Sequence, residues 1–217
     1  MSKPTIYWTP NSAPCRGTWL SVKNLEIDTE WRLLNLREKE QLKPEFLKIN
    51  PMHCVPTLDD DGYILWESRA ISTYLADSRY PGGTSLYPKD PKIRGVIDAR
   101  LYFDASYLHM RVRAIVRPIV YEGVTTISDE KIAAVKEAYS HLEEFLTGNA
   151  FLAGNDLTLA DCHVLSCVAT SKLVGVGFEN HPKLAEWYER CRKVVKGFEE
   201  HEKIVQKYTD DLKSKLK

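Results

Sequence analysis

The chain has 217 residues, enough for one large domain or two modest ones, each with a buried core. Lysine and arginine together number 30, and so do aspartate and glutamate, which makes the formal net charge zero. A protein that binds nucleic acid through its phosphates needs a basic excess or a basic face. The charge balance therefore argues against nucleic acid as the main partner.

The cysteines and the N-terminus indicate where the protein works. The cysteines number five and are scattered along the chain, and an odd, scattered set argues against a disulfide framework. The first residues lack the long apolar run of a signal peptide, and no apolar stretch approaches the length of a membrane span. We therefore expect a cytoplasmic, soluble protein without a membrane partner.

The first 80 residues alternate between strand-like and helical patterns. An Asp-Gly step at residues 61–62 separates two strand-like runs and predicts a hairpin. The predicted order is βαβαββα, that of a thioredoxin-like α/β domain with a mixed sheet. Strands are predicted at 5–8, 30–36, 55–58 and 63–66, and helices at 14–25, at 43–48 and from a cap at Ser68.

A second, all-helical domain is predicted beyond the first. Residues 80–91 are rich in proline and glycine, which is typical of a linker. Thr158 and Asp161 have the spacing of an N-terminal capping box. The predicted boundaries are 1–80 for the first domain, 81–91 for the linker and 92–217 for the second domain. Its helices are predicted at 93–123, 129–146, 158–174, 182–194 and 197–212.

The most informative motif is the run Ser12-Ala13-Pro14-Cys15, which follows the first predicted strand and opens the first helix. It has the frame of a thioredoxin-type Cys-x-x-Cys motif, with a hydroxyl in place of the first thiol. Dithiol exchange needs a thiolate at that position, so this chemistry is lost. The helix N-terminus remains, with its unpaired N–H groups, positive potential and neighbouring hydroxyl donor. Such a turn suits the stabilisation of a ligand's thiolate.

Four motifs together resemble the cytosolic glutathione S-transferases, and among these the insect delta and epsilon classes. The motifs are residues 12–16 (SAPCR), 50–58 (NPMHCVPTL), 66–71 (WESRAI) and 157–161 (LTLAD). The resemblance implies a homodimer, a glutathione site in the N-terminal domain and a helical domain that forms the pocket for a hydrophobic electrophile. Glutathione is then a co-substrate, and no metal is expected.

The resemblance also assigns roles to individual residues. Ser12 matches the hydroxyl that faces the glutathione sulfur. His53 and Val55 match residues that bind the cysteinyl and glycyl parts, and Pro56 matches a cis-proline that presents the Val55 backbone. Gln41 stands where many relatives have a histidine, and its amide can donate a hydrogen bond but cannot form a salt bridge. The predicted glutathione-binding residues are Gln41, His53, Cys54, Val55, Pro56, and Glu67, Ser68 and Arg69 around the γ-glutamyl end.

Ser12 is expected to act as a donor, since no histidine lies near it in sequence to take its proton. A hydrogen bond to a charged acceptor contributes about 1.5–3 kcal/mol, which corresponds to roughly one to two pK units. Such a bond would lower the pKa of a bound thiol from about 8.5 to a value close to neutral pH. The turn alone slightly favours Ser12 as a simple N-cap, and the four motifs together favour the functional role. Two other residues compete with Ser12 for the functional role. Tyr7 lies within the first predicted strand, so we expect it in the core, and we expect Cys15 to be a buried apolar residue.

One face of the predicted helix at 93–123 carries residues spaced by three and four positions. They are His109, Arg113, Val116, Arg117 and Val120, with Tyr121 next in the chain. By resemblance this face borders the electrophile pocket, with Tyr121 at its edge, and a solvated or dimer-facing stripe is the alternative. A pocket with two arginines in its wall would favour acidic or polarised electrophiles.

The sequence thus predicts a glutathione transferase whose bound thiolate attacks hydrophobic electrophiles, or reduces organic peroxides, in detoxification. Two alternatives use the same fold. One is a non-catalytic carrier of hydrophobic ligands, and the other is a glutathione-dependent reductase based on Cys15.

Overall fold

A computed structural model describes residues 3–216, apart from the side chains of residues 209, 211 and 213. The N-terminal part forms a mixed four-stranded sheet in the order β2-β1-β3-β4. β1 is parallel to β2 and antiparallel to β3, which pairs with β4 in antiparallel fashion. The strands are β1 (Thr5–Trp8), β2 (Glu30–Leu33), β3 (Thr57–Asp60) and β4 (Tyr63–Trp66).

Helices account for the rest of the regular structure, and the predicted βαβαββα order followed by a helical domain is confirmed. No helix within residues 3–216 is both long enough and apolar enough to cross a membrane. The N-terminal domain contains α1 (Ala13–Asn24), a 3-10 turn (Glu40–Leu42), α2 (Pro44–Leu47) and α3 (Ser68–Arg79). The helical domain contains α4 (Pro91–Phe103), a π-helical turn (Asp104–Leu108), α5 (His109–Tyr121), α6 (Asp129–Phe145), α7 (Leu159–Leu173), α8 (Pro182–Val194) and α9 (Phe198–Lys213).

The second strand is shorter than predicted. It ends at Leu33 and not at residue 36, because Asn35 starts a turn. The Asn35 side-chain oxygen accepts hydrogen bonds from the N–H groups of Arg37 (3.1 Å) and Glu38 (3.4 Å). Asparagine competes with strand pairing in this way, since its side chain replaces a backbone acceptor.

Several other predicted boundaries differ from the structure by one or two residues; β3, for example, is Thr57–Asp60 and not 55–58. Two differences at helices have a clear local cause. Ser68 is the first helical residue of α3 and not its cap, because Glu67 occupies the N-cap position with φ 72° and ψ 104°. The single helix predicted at 93–123 is divided by the π-helical turn, and it begins two residues earlier. Asp90 sets that start, since its carboxylate accepts from the N–H groups of Lys92 and Ile93, both at 2.9 Å.

The Asp-Gly hairpin and the capping box are both present as predicted. Asp61 and Gly62 have φ of 58° and 85°, the left-handed pair that a tight two-residue hairpin requires. The buried Asp161 carboxylate accepts from the backbone N–H of Thr158 and from the indole N–H of Trp187, both at 2.9 Å. Asp161 therefore ties α7 to α8 and serves folding.

Helix α1 takes part in the hydrophobic cores of both domains. Val22 packs with Ile6 and Leu58 of the sheet, whereas Trp19 and Leu20 belong to the core of the helical domain. The direction of α1 is therefore fixed from two sides, and this determines where its N-terminus points.

Where α7 crosses α1, the backbones approach closely and a histidine is buried. A Cβ on Gly17 would lie 2.5 Å from His163 Nδ1, so only glycine fits there without displacing the ring. His163 Nε2 lies 2.9 Å from the Ser72 hydroxyl, and Nδ1 has no hydrogen-bond partner among the described residues. Burial, with the nearby Arg69 charge, lowers the pKa of His163 to about 3.

This burial predicts a loss of stability in mild acid. The unfolded chain takes up a proton on this histidine near pH 6.5, and the folded protein does so only near pH 3. Between those values the unfolded state binds more protons, so stability falls as the pH falls. From pH 7.5 to 5 we expect His163 to account for a loss of about 2 kcal/mol in the free energy of unfolding, measured by urea titration.

The matched variants are His163→Gln and His141→Gln, the second at an exposed histidine. The first should make the decline between pH 7.5 and 5 smaller by about 2 kcal/mol, whatever it does to stability at pH 7.5, while the buried His109 and His201 maintain the remainder. The second should leave the whole decline in place. Parallel pH curves for the two variants would contradict the assignment.

Candidate functional site

Ser12 is the N-cap of α1, and its hydroxyl proton is not used in this role. Its backbone is extended (φ −90°, ψ 121°), and Oγ accepts from the N–H of Cys15 at 3.4 Å. A hydroxyl can accept and donate at the same time. The capping role and the predicted donor role are therefore compatible, because the half-buried side chain can cap the helix and donate to a ligand.

Arg16 supports this turn from inside the protein. Its fully buried guanidinium donates to the Pro10 carbonyl (2.7 Å), to the Ser166 carbonyl (3.4 Å) and to the Thr170 hydroxyl. No carboxylate pairs with it among the described residues, and burial lowers its pKa to about 10, so it remains charged at neutral pH. A buried cation one turn into α1 adds to the positive potential of the helix N-terminus. In the sequence, Arg16 was only the last residue of the motif at 12–16, and no role was predicted for it.

The two rivals for Ser12 lie in the protein interior, as predicted. Cys15 is fully buried, and burial raises the pKa of its thiol to about 11. Tyr7 packs edge-on against Phe46, with ring centroids 5.4 Å apart, and its hydroxyl accepts from Arg32 at 3.2 Å. A protonated, inaccessible thiol is a poor nucleophile.

The loop before β3 is organised by Asn50, which is fully buried. Its side-chain amide donates to the Thr57 hydroxyl at 2.8 Å and fixes the ends of the loop. The Val55–Pro56 peptide bond is cis, as the resemblance implied. Within residues 3–216 no hydrogen bond is formed by the Val55 backbone, and His53 is exposed with φ 43°. The loop therefore offers backbone groups and an imidazole to a ligand.

Ser12 lies in a cleft of about 330 Å³ between the two domains. The cleft brings together residues predicted for glutathione and residues predicted for the electrophile. Its walls include, among the predicted residues, Ser12, Gln41, His53, Cys54, Val55, His109, Arg113, Val116, Arg117, Val120 and Tyr121. The remaining predicted residues, Pro56, Glu67, Ser68 and Arg69, are outside this lining.

Two of the predicted residues outside this lining, Glu67 and Arg69, lie at the start of α3 and have different surroundings. Glu67 is exposed and has a positive φ, which costs energy for a residue with a Cβ. Arg69 turns toward the helical domain, where it donates to the fully buried Asp104 (Nε to Oδ2, 2.9 Å) and to Ser68 Oγ (2.8 Å). Burial is the largest single influence and would raise the pKa of Asp104, but the charge and hydrogen bond of Arg69, together with the nearby His163 and His109, outweigh it and lower that pKa. Arg69 therefore joins the domains in this structure.

A second, larger cleft of about 590 Å³ adjoins the first and shares Ser12 with it. Three of its residues, Ile204, Lys207 and Tyr208, come from α9 and had no place in the sequence prediction. Their spacing of three and four puts them on one helix face, which is the signal that could have found them. The other lining residues are Thr9, Pro10, Asn11, Asn35, Leu36, Arg37, Val120 and Tyr121.

His109 is a neutral member of the cleft wall. Burial, together with the Arg69 charge, lowers its pKa to about 4, so the imidazole is uncharged at neutral pH. Its Nδ1 lies 3.8 Å from the buried Cys167 thiol. The positive charge of this wall therefore comes from Arg113 and Arg117, and not from the histidine.

Known families match both halves of the chain. Residues 4–77 match the model of the glutathione S-transferase N-terminal domain, and residues 103–193 match that of the C-terminal domain. The chain belongs to the glutathione S-transferase family. This agrees with the geometry, since the cleft of the transferase lies between those two domains.

The fold and sequence of the chain are similar to those of solved structures from two insect classes of glutathione transferase. The chain is similar to a delta-class glutathione transferase from Nilaparvata lugens, with 36% identity, a TM-score of 0.92, and coverage of 98% of this chain and 100% of that one. An epsilon-class enzyme from the housefly, Musca domestica, has 36% identity and a TM-score of 0.91, with 98% of each chain covered. A glutathione transferase homologue from Drosophila mojavensis, solved with bound glutathione, has 33% identity and a TM-score of 0.93 over 100% of this chain and 99% of that one.

The buried ion pair between Arg69 and Asp104 generates a stability prediction. Arg69→Met leaves a buried carboxylate without its partner, which should lower the free energy of unfolding by about 3–5 kcal/mol in urea titrations. Arg117→Met is the matched control, since it breaks an exposed pair with Glu122 (2.6 Å) and should cost less than about 1 kcal/mol. Adding Asp104→Leu to Arg69→Met should restore most of the loss. Equal effects of the two single variants would contradict the role of the buried pair.

Proposed function

We propose that this glutathione transferase holds the glutathione thiol next to Ser12 and transfers the thiolate to a hydrophobic electrophile in the larger cleft. The observation that carries the proposal is the position of Ser12. It lies in the wall of both clefts, at the positive N-terminus of α1, with a hydroxyl proton that the cap does not use. Sulfur and electrophile would meet there.

Glutathione itself is proposed to follow the smaller cleft away from Ser12. The unpaired backbone groups of Val55 can bond the tripeptide as a neighbouring strand would. His53 and Gln41 offer donors to the glycyl end, and the N-terminus of α3 offers N–H groups to the γ-glutamyl carboxylate. The exposed Glu67 carboxylate beside them would meet the γ-glutamyl ammonium. The relative from Drosophila mojavensis with bound glutathione supports this ligand.

The reaction needs no covalent enzyme intermediate. The glutathione thiolate attacks the electrophilic carbon, a carbon–sulfur bond forms, and the leaving group departs with its electron pair. The enzyme contributes by positioning the reactants and by stabilising the thiolate. Ser12 donates a hydrogen bond to the sulfur, and the α1 N-terminus with Arg16 behind it favours the anion electrostatically.

The biological role we propose is detoxification of small electrophiles in the cytoplasm by a homodimer. The same thiolate is also proposed to reduce organic hydroperoxides: the sulfur takes the terminal hydroxyl of the peroxide and the alcohol leaves, and a second glutathione thiol then forms the disulfide and releases water. Exposed aromatic side chains at Tyr63 (51%) and Tyr102 (74%) provide apolar surface that a second copy could cover. Sedimentation velocity tests the assembly: we expect a mass of about twice 24.9 kDa, and a single 24.9 kDa species would contradict the dimer.

Two substitutions separate the proposed mechanism from the Cys15-based reductase. Ser12→Ala removes the donor to the sulfur, so kcat/KM for glutathione with 1-chloro-2,4-dinitrobenzene should fall by about 10- to 100-fold. Cys15→Ala removes a buried thiol and should change kcat/KM by less than about threefold. A large loss from Cys15→Ala and little from Ser12→Ala would reject the mechanism.

Thermal unfolding of both variants is the control, because Ser12→Ala also removes a cap worth about 1 kcal/mol. The carrier alternative is tested in the same preparation. Binding of an apolar dye without turnover of the aryl chloride would favour a carrier over an enzyme.

A further inference from the structure

The two clefts contain basic side chains, and neither is lined by an acidic one among the described residues. Arg37 and Lys207 line the larger cleft, and Arg113 and Arg117 line the smaller cleft. A ligand in either cleft therefore meets a positive electrostatic potential. Because the walls are of low dielectric, such a potential acts more strongly than it would on an open surface.

The four cations differ in whether they are already paired. Arg117 forms an ion pair with Glu122 at 2.6 Å, and Arg37 has a bonding partner of its own. Within residues 3–216 the exposed Lys207 ammonium has neither a hydrogen bond nor an ion pair. Its charge at the larger cleft is uncompensated. Arg113 also has neither a hydrogen bond nor an ion pair among the described residues, but it lines only the smaller cleft. Lys207 is therefore the cation available to a ligand in the larger cleft.

The larger cleft gives Lys207 apolar neighbours, although Thr9, Asn11, Asn35 and Arg37 make part of its wall polar. Ile204 and Tyr208 share its face of α9, and Leu36 and Val120 line the same cleft. The residues proposed for glutathione, such as His53 and Val55, line only the smaller cleft. Lys207 is therefore placed on the electrophile side of Ser12, away from the glutathione residues.

A cleft with apolar patches, a cation without an ion pair and no acidic lining residue among the described residues is complementary to an amphipathic anion. We propose that this transferase prefers hydrophobic electrophiles that carry a carboxylate or a similar anionic group, which Lys207 binds while the reactive carbon lies next to Ser12. The inference rests on the proposed function and names its substrate class. Lys207 is then a specificity residue that touches the substrate at its charged end.

The probe is a matched pair of aryl chlorides, 4-chloro-3,5-dinitrobenzoate and 4-chloro-3,5-dinitrobenzamide. In both, the thiolate bonds to the ring carbon at position 4 and chloride leaves with the bonding electrons. The two differ in the group para to the reacting carbon, which is an anionic carboxylate in one compound and an uncharged carboxamide in the other. Each kcat/KM is divided by the rate constant of the same compound with free glutathione, so that intrinsic reactivity cancels.

We expect the wild-type enzyme to prefer the benzoate and Lys207→Met to reduce that preference by about three- to tenfold, mainly through KM for the benzoate. Lys207→Glu should reduce it further, and added salt of about 0.5 M should weaken it in the wild type. Lys193→Met is the matched control, since it removes an exposed charge on α8, which lines neither cleft, and it should leave the preference unchanged.

Three results would overturn the proposal: a wild-type enzyme without the preference, equal losses for both compounds in Lys207→Met, or the same effect from Lys193→Met. Failure of the proposed function is seen separately, as absence of turnover of the neutral benzamide.

If the benzamide is not turned over, dye binding still tests whether Lys207 binds an anionic ligand. Affinity for anionic 8-anilinonaphthalene-1-sulfonate should fall in Lys207→Met, and affinity for its neutral analogue N-phenyl-1-naphthylamine should not. Unchanged sulfonate binding would overturn the inference even without catalysis.

Discussion

The contact between α1 and α7 holds the turn at Ser12 in place, and the rest of the candidate site depends on it. The Ser166 hydroxyl donates to the carbonyl of Ala13 at 2.8 Å, in the first turn of α1. One turn further, the absence of a side chain at Gly17 lets the two helices approach. Arg16, between these points, bonds both α7 and the Pro10 carbonyl ahead of Ser12. The helix N-terminus is thus fixed by a helix of the other domain, which explains why the two clefts meet at it.

Burial and charge act together around this contact. Burial keeps His109 and His163 neutral and Cys15 protonated at physiological pH, so these groups neither add charge to the site nor compete as nucleophiles. Arg16 is the exception, because an arginine remains charged even when burial lowers its pKa to about 10. The interior behind Ser12 therefore carries positive charge that no carboxylate among the described residues neutralises, which is the electrostatic condition a bound thiolate needs.

Local sequence signals predicted the parts of the fold that local interactions decide. The Asp-Gly hairpin depends on two adjacent residues, and the Ser12 cap depends on one turn of helix. The face of α5 from His109 to Val120 follows from helical periodicity alone. All of these appear in the structure as the sequence indicated.

The features that the sequence did not reveal depend on contacts between distant segments. Arg69 follows the motif of a ligand-binding helix start, yet Asp104, 35 residues away, takes its guanidinium. Lys207 lies 195 positions after Ser12, and only the packing of α9 brings the two to the same cleft. Asn35 is a local exception, since hydrogen bonds from its side chain end β2 although the strand-like sequence pattern continues.

The most direct test of the account is an absorbance titration of glutathione bound to the wild-type enzyme, following thiolate formation with pH. If Ser12, the α1 N-terminus and Arg16 stabilise the sulfur anion, the bound thiol should ionise with a pKa about one to two units below the value of about 8.5 for a free thiol. A bound thiol with the same pKa as free glutathione would contradict it.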